Sequence, residues 1–190
     1  MCHFLVQDPT FFAVLLAIDQ EQAVLTQAAG CACEGRLHCA NYPRKPRGCL
    51  PEFRSSFDRR FSFCCSTCRK RTTATSVRFL GRRVYLALVV VLSSSRHAGS
   101  NSAAPLLTSL AIPLRTLERW RAWWRGAFTH TPLWLSACGA FMPALDAEQL
   151  PAVLLERFIG ADALSRMSAL LRFLTPLTVR ARSPQARQVA

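Results

Sequence analysis

The 190-residue sequence predicts an α+β fold that is mainly helical, with a small region of β-hairpins between a first helix and a later helical bundle. Apolar residues form 51% of the chain and charged residues 18%, a balance typical of folded proteins. Residues 31–76 contain most of the cysteines and show no helical period. Five segments follow: an N-terminal amphipathic helix (1–30), a cysteine-rich hairpin domain (31–80), a helix-turn-helix region (82–128), C-terminal helices (129–180) and a flexible tail (181–190).

The N-terminal segment predicts a helix over 10–29. Asp8 is a good N-cap, Pro9 suits the first helical position, and Gly30 is a typical end. The segment has one apolar half and one polar half around Asp19–Gln22, and no basic residue. We therefore expect a structural role, in which the helix covers a core or packs against a partner helix.

The segment 42–48 predicts an extended basic arm. Pro43 and Pro46 restrict their own backbone and that of the residues before them, so a helix is excluded. The arm either lies in a groove of DNA or is a plain basic loop. Its candidate DNA contacts are Arg44, Lys45 and Arg47.

Four cysteines predict a metal site. They form two close pairs, Cys31-Ala-Cys33 and Cys65-Ser-Thr-Cys68, and zinc takes four tetrahedral ligands that proteins commonly supply as two such pairs. We expect these four thiolates to hold one structural Zn²⁺, with each pair forming a knuckle that caps a hairpin. Ordinary buried thiols are the alternative. Other ligands that stay open are His38, Cys39, Cys49 and Cys64.

The next region predicts a helix over 82–92, a polar loop over 93–102, and two helices at 105–110 and 114–128. The two helices are joined by a turn at 111–113, where apolar residues would be buried between steeply crossed helices. An ordinary helical hairpin is the alternative. In a helix-turn-helix, the early residues of the second helix contact base edges. The candidates there are Arg115, Thr116, Arg119 and Arg121.

The C-terminal third predicts helices at about 146–158 and 162–174, the first opened by Asp146. Its acidic residues lack the strand framework of a carboxylate catalytic site. The chain contains neither a glycine-rich phosphate loop nor a serine nucleophile motif, and its histidines lie in unrelated contexts. We therefore expect no enzymatic activity.

The charge is strongly positive and unevenly distributed. Lys and Arg number 24 against 11 Asp and Glu, a formal net charge of +13. The excess lies mainly in 36–83, with a second basic patch at 114–125. Such blocks are the footprint of a nucleic-acid surface, although a solvated arginine-rich face is the alternative. The block also supplies three further candidate contacts after the second cysteine pair: Arg69, Lys70 and Arg71.

The cysteine usage and the N-terminus indicate a cytoplasmic protein. The first 30 residues contain no Lys or Arg, so the basic start of a secretory signal is missing. The most apolar run, Val84–Leu92, is far shorter than a bilayer requires. In a reducing compartment, clustered thiols bind metal more often than they form disulfide bonds with each other. We expect no membrane association.

Two segments carry a family resemblance. Leu110-Ala-Ile-Pro-Leu-Arg-Thr-Leu-Glu-Arg-Trp120 resembles the helix-turn-helix of insertion-sequence transposases and related resolvase-like regulators. Phe61-Ser-Phe-Cys-Cys-Ser-Thr-Cys-Arg-Lys-Arg71 resembles the second knuckle of the zinc ribbon at the head of several transposase families. The resemblance implies a small zinc ribbon of β-hairpins followed by a helix-turn-helix bundle. It also implies DNA binding in a mobile-element setting, with a recombinase or transposase as the partner.

Three functions fit these patterns. The favoured one is double-stranded DNA binding, associated with transposition or its regulation, because the basic segments coincide with both motifs. The second is a protein-interaction or assembly module, in which the acidic N-terminal helix and the C-terminal helices dock on a partner. The third is a single-stranded nucleic acid or RNA binder that stacks bases on Trp120, Trp123 and Trp124.

Overall fold

The computed structural model describes residues 3–95 and 103–179. In these residues a long first helix is followed by five short strands with one short helix among them, and then by six further helices. The predicted α+β class is therefore confirmed. The helices are α1 (Pro9–Ala28), α2 (Arg54–Phe57), α3 (Ala87–Ser94), α4 (Ala104–Ser109), α5 (Leu114–Arg125), α6 (Pro132–Ala137), α7 (Ala152–Arg157) and α8 (Ala163–Phe173). The strands are β1 (Leu37–Cys39), β2 (Tyr42–Pro43), β3 (Arg59–Arg60), β4 (Ser62–Cys65) and β5 (Arg71–Thr73). The predicted tail 181–190 and most of the predicted loop 93–102 lie outside the described residues.

Helix α1 begins and ends as its sequence predicts. The Asp8 carboxylate accepts hydrogen bonds from the backbone N–H groups of Thr10 and Phe11, at 2.9 and 3.3 Å. The helix ends just before Gly30, whose φ is +67°. One expectation is wrong: Asp19 does not belong to a polar, solvent-facing half but is completely buried. Its charge is balanced inside the protein by an arginine described below.

The strands form one long antiparallel ladder with an added edge strand. The sheet order is β1-β4-β5, and β2 pairs separately with β3. Leu37 faces Cys65 at one end and Pro43 faces Arg59 at the other, so both ladders keep the same register. Strands β1 and β2 therefore run antiparallel to β3 and β4. The long connection that contains α2 joins β2 to β3.

Only the second cysteine turn caps a hairpin, which corrects the prediction that both do. The turn between β4 and β5 joins two paired strands. The first cysteine turn instead follows α1 and precedes β1. The physical reason is that β1 is an edge strand and its neighbour in the sheet, β4, comes from much later in the chain. The first cysteine turn therefore joins α1 to β1 and does not join two paired strands.

Buried side chains form two clusters of very different size. The large one collects residues from Leu5 to Leu174, including the connection around Phe57, the whole of α3, and the inner faces of α5 and α8. The small one lies under the cysteine turns. It contains Ala23, Leu37, Phe63, Cys65 and Ala74. Helix α1 contributes to both clusters, so it connects the sheet to the helical core.

Helix α3 is shorter than the predicted helix over 82–92. Arg82 lies in a turn, and Tyr85 and Leu86 form β-bridges. The N–H of Leu86 donates to the carbonyl of Arg47, and that of Ala87 donates to the carbonyl of Arg78. Neighbouring backbone thus replaces the first helical turn. All eight residues of α3 are buried, as expected for a helix that is apolar on every side.

Helices α4 and α5 are joined by a tight turn at the predicted place. The N–H of Ile112 donates to the carbonyl of Leu107 and that of Ala111 to the carbonyl of Thr108, which is the Schellman pattern. Ala111 occupies the left-handed position with φ of +48°. The second helix was predicted to extend to residue 128, but α5 ends at Arg125.

The C-terminal helices match the prediction with one break. The predicted helix at 146–158 divides into a 3₁₀ turn at Ala147–Gln149 and α7, because Leu150 is extended before Pro151. Helix α8 lies where the second helix was predicted. Within the described residues, no helix has both the length and the apolar composition needed to span a bilayer.

Candidate metal centre

The first cysteine turn is a tight bend that follows α1. The N–H of Glu34 donates to the carbonyl of Cys31 at 2.8 Å. Glu34, directly after Cys33, has the left-handed φ of +62°. This bend brings the two cysteine side chains of the turn to the same side, with their sulfurs 3.5 Å apart.

The second cysteine turn repeats this arrangement between β4 and β5. Arg69, directly after Cys68, also has a left-handed φ, +58°. Its N–H donates to the carbonyl of Cys65 at 3.2 Å, and the N–H of Cys68 donates to the Cys65 sulfur at 3.5 Å. The two turns thus share a backbone pattern in which a left-handed residue follows the second cysteine.

The two turns bring all four predicted ligands together. Every pair of sulfurs among Cys31, Cys33, Cys65 and Cys68 lies within 4.8 Å. Across the two turns, Cys31 and Cys68 are 3.5 Å apart and Cys33 and Cys65 are 3.4 Å apart. Four sulfurs at a Zn–S distance of about 2.3 Å in a tetrahedron are separated by about 3.8 Å. The cluster is therefore close to the size that zinc requires.

Gly35 makes room for this cluster. A Cβ atom built on Gly35 would lie 2.5 Å from the Cys65 sulfur and 2.6 Å from the hydroxyl of Thr67. Real Cβ atoms do not approach other atoms so closely, so any side chain at this position displaces the sulfur or the turn. The sequence prediction missed this residue, although a glycine two positions after Cys33 was a visible signal.

The surroundings of Cys65 and Cys68 shift the pKa values of the two thiols in opposite directions. The backbone N–H of Cys68 stabilises the Cys65 thiolate and lowers its pKa to about 6. The N–H of Lys70 favours the thiolate of Cys68, but the neighbouring Cys33 sulfur opposes it and the pKa of Cys68 rises to about 12. Four thiolates this close repel each other, so a cation stabilises the fully deprotonated state.

The alternative ligands lie outside the cluster. The Cys64 thiol donates towards the carbonyl of Arg69, His38 faces Cys64 across the sheet, and Cys39 is exposed. Cys49 packs against the large helical core, and burial raises its pKa to about 11. Four protein ligands would fill a tetrahedral site, so a metal bound by these four cysteines would have no open position for substrate.

Three basic residues follow the second cysteine turn directly along the chain. Arg69, Lys70 and Arg71 are all exposed, and the carbonyl of Arg36 binds the N–H of Ser66 in the same turn. Arg71 also donates to the carbonyl of Ala40 and the hydroxyl of Ser62.

The extended arm divides into inward and outward residues. The Arg44 guanidinium donates to the carbonyls of Gly81 and Arg83, at 3.4 and 2.6 Å, and lies over the ring of Phe79. Arg44 is therefore half-buried and held by the protein, and its contact with DNA stays a prediction. Lys45 and Arg47 are exposed.

Helix α5 presents its predicted contacts unequally. Arg115 and Arg119 are exposed, Thr116 is half-buried, and the Arg119 guanidinium donates to the Thr116 hydroxyl. Arg121 is half-buried, and desolvation lowers its pKa. The outward side of the helix thus begins with two exposed guanidinium groups one turn apart.

The tryptophans of α5 are packing residues. Trp120 and Trp124 are buried, and Trp123 is covered by the guanidinium of Arg83 at 4.0 Å. Their rings therefore do not form an open stacking surface, which corrects the basis of the predicted single-strand binding. They are buried because α5 turns this side towards the large core.

The sequence prediction also missed a buried charge network. Asp19 accepts hydrogen bonds from the Arg78 guanidinium, the Ser76 hydroxyl and the N–H of Val77. Arg78 also donates to the carbonyl of Ser56 and lies among three phenylalanine rings. The visible signal was an arginine, Arg78, within an apolar run.

Comparison of the chain with protein-family models, with curated protein sequences and with solved structures gives no significant match. The function must be inferred from the cysteine cluster and the exposed basic side chains. The cysteine cluster and these basic side chains all lie in the part of the chain that the structure describes.

Proposed function

We propose that this chain is a DNA-binding protein in which a structural zinc ion braces a zinc ribbon and α5 serves as the reading helix of a helix-turn-helix. One observation carries the proposal: α5 buries Leu117, Trp120 and Trp124 while it exposes Arg115 and Arg119 near its start. An amphipathic helix with this division keeps its cations free for a partner. Arginine there can contact phosphates or the O6 and N7 atoms of guanine.

The turn before α5 supports this proposal. The Schellman pattern at Ala111 reverses the chain within a few residues, and Pro113 then caps the start of α5. Tyr85 braces the turn, since its hydroxyl donates to the carbonyl of Ala111. A fixed turn of this kind lets a short first helix orient a longer second one.

The metal centre supports zinc as the structural ion. Tetrahedral sites with four thiolate ligands are typical of zinc and of iron–sulfur proteins, and a single ion fits a cluster of this size. The small buried cluster beneath it has few apolar residues, so the metal would supply folding free energy. Such thiolate sites suit a reducing cytoplasm. The order of the two elements favours a role in transposition or its regulation, with a recombinase as partner.

The first experiment measures binding of fluorescein-labelled duplex DNA by anisotropy over a range of NaCl concentrations. We expect affinity to fall with a log–log slope of about 0.9 for each neutralised phosphate. The variant Arg115→Ala/Arg119→Ala should bind more weakly, whereas Arg166→Ala/Arg172→Ala removes the same charge from α8 and should bind normally. Absence of wild-type binding at low salt would refute DNA binding.

The second experiment measures zinc per chain in purified protein. We expect one zinc ion, lost in Cys65→Ser/Cys68→Ser and retained in the control Cys39→Ser, which changes an exposed cysteine outside the cluster. A well-folded native protein without metal would contradict the structural role.

A second candidate function is protein interaction through α1. Its outer side exposes the apolar residues Val24 and Leu25, which line a shallow groove with Ala17, Gln20 and Glu21. If Arg115→Ala/Arg119→Ala leaves DNA affinity unchanged while Val24→Ser/Leu25→Ser weakens capture of a partner protein, this function replaces DNA binding.

A further inference from the structure

We propose that the extended arm and α5 form one continuous DNA-backbone surface, which we call the arm–helix surface and define by Lys45, Arg47, Arg82, Arg115 and Arg119. This inference rests on the proposed DNA binding and specifies where the phosphates bind. The sequence places these cations in three separate segments. The structure brings the segments together through residues 81–86.

The arm is attached to residues 81–86 by backbone and side-chain bonds. The N–H of Arg47 donates to the carbonyl of Val84 at 2.8 Å, and the Arg47 carbonyl accepts from the N–H of Leu86 at 3.1 Å. The Arg44 guanidinium donates to the carbonyl of Arg83. The arm is therefore held along this segment and does not hang free.

Residues 81–86 are attached in turn to α5. The guanidinium of Arg83 lies 4.0 Å from the ring centre of Trp123, and the ring of Tyr85 meets that of Trp120 edge-on at 5.1 Å. The arm returns to the same side, because the Arg47 guanidinium lies 5.7 Å from the Tyr85 ring. Arm and helix thus pack against one shared segment.

The charge of this surface is almost entirely positive. Segments 44–47, 81–86 and 111–125 contain nine Lys or Arg residues and a single acid, Glu118. The five cations that define the surface are all exposed. A duplex backbone complements such a surface because it presents a regular row of negative charges and needs no pocket.

The spacing of the exposed cations suits a phosphate backbone. Burial alternates along the arm, so Lys45 and Arg47 point outward from positions about 7 Å apart. Arg115 and Arg119 are separated by about 6 Å along the helix axis. The side chains of each pair are therefore far enough apart to contact two separate phosphates of a duplex.

The test compares salt dependence of duplex binding in charge-matched variants of the full chain. We expect Lys45→Ala/Arg47→Ala to lower the log–log slope by about 1.8, as two lost phosphate contacts predict. Arg115→Ala/Arg119→Ala should lower it similarly, and the fourfold variant by about 3.6. The control Arg166→Ala/Arg172→Ala should keep the wild-type slope. Circular dichroism verifies the fold of each variant.

The outcomes separate this inference from the proposed function. If the arm variant keeps the wild-type slope while the α5 variant lowers it, DNA binding stands and the arm–helix surface is refuted. If wild-type protein does not bind duplex at low salt, both fail. Poly-glutamate is the competing probe: displacement of duplex by poly-glutamate at equal charge concentration would assign the surface to an acidic protein partner and overturn its assignment to DNA.

Discussion

Arg78 donates a hydrogen bond from its Nε to the carboxylate of Asp19 at 2.7 Å, and both side chains are completely buried. Removing one partner leaves an unpaired charge in an apolar region, which costs about 3–5 kcal/mol. We therefore expect Asp19→Asn and Arg78→Met each to lower the free energy of unfolding by this amount in urea titrations. The double variant should recover part of the loss.

The exposed ion pair between Glu21 and Arg172 is the control for this prediction. Its atoms are 3.7 Å apart and both side chains are about half exposed. Exposed pairs contribute about 0–1 kcal/mol, so Glu21→Gln should be nearly neutral. A loss for Asp19→Asn no larger than that for Glu21→Gln would contradict the buried network.

Gly35→Ala should weaken metal binding although it replaces no ligand. The added methyl group would collide with the Cys65 sulfur, because the built Cβ lies 2.5 Å from it. We expect a loss of roughly 10- to 100-fold in zinc affinity, the usual effect of disturbing groups that orient a ligand. Competition with a chromogenic chelator measures it. Gly139→Ala is the control, since no atom lies within 4 Å of the added Cβ.

Metal removal should affect the sheet more than the helices. The four cysteines lie in or next to the strands and the small buried cluster lies mainly on the sheet, whereas α3, α5 and α8 share the separate large core. We expect chelation of zinc to broaden the amide NMR signals of β1, β4 and β5 while most helical ellipticity is kept. Complete unfolding on chelation would show instead that the two clusters form one cooperative unit.

Cys49 should resist alkylation until strongly alkaline pH. Burial raises its pKa from 9.0 to about 11, so the folded state favours the neutral thiol. Its contribution to stability is therefore present below pH 9 and is lost as pH rises through about 11. Iodoacetamide labelling at pH 8, followed by peptide mass spectrometry, should modify exposed Cys39 well before Cys49. Equal rates would refute this burial.

Ala111→Gly should stabilise the protein. Ala111 has a φ of +48°, a conformation that costs a residue with a Cβ about 1 kcal/mol and glycine much less. We expect a gain of about 0.5–1 kcal/mol in the free energy of unfolding. Ala122→Gly, on the exposed side of α5, should instead lose about 1 kcal/mol. Equal signs for the two variants would show that the turn is not strained.

The sequence was sufficient to predict features governed by local chemistry. The Asp8 cap, the end of α1 and the grouping of Cys31 with Cys68 all follow from short-range spacing and from the demands of a tetrahedral ion. The start of α3 could not be predicted in this way. It depends on the hydrogen bond from Leu86 to Arg47, a partner distant in the chain.

Charged and aromatic side chains were the main source of wrong expectations. Asp19 and Arg44 look solvent-facing in a local window, but each is neutralised or bonded by residues far along the chain. Trp124 looks like a stacking surface beside arginines, yet α5 turns it inward because α3 offers a fully apolar side. Periodicity defines the faces of a helix, while tertiary packing decides which face is covered.

The constant register of the β1–β2 and β3–β4 ladder bears on the order of folding. Two contacts outside the ladder are nested around it along the chain in the same antiparallel order. The Cys31–Cys68 pair encloses the ladder, and the Asp19–Arg78 pair encloses the Cys31–Cys68 pair. Once the connection between Pro43 and Arg59 is closed, each later contact encloses at most about a dozen further residues on each side and adds little loop-closure entropy. The chain can thus zip outward from that hairpin, and the metal ligands meet before the buried charges do.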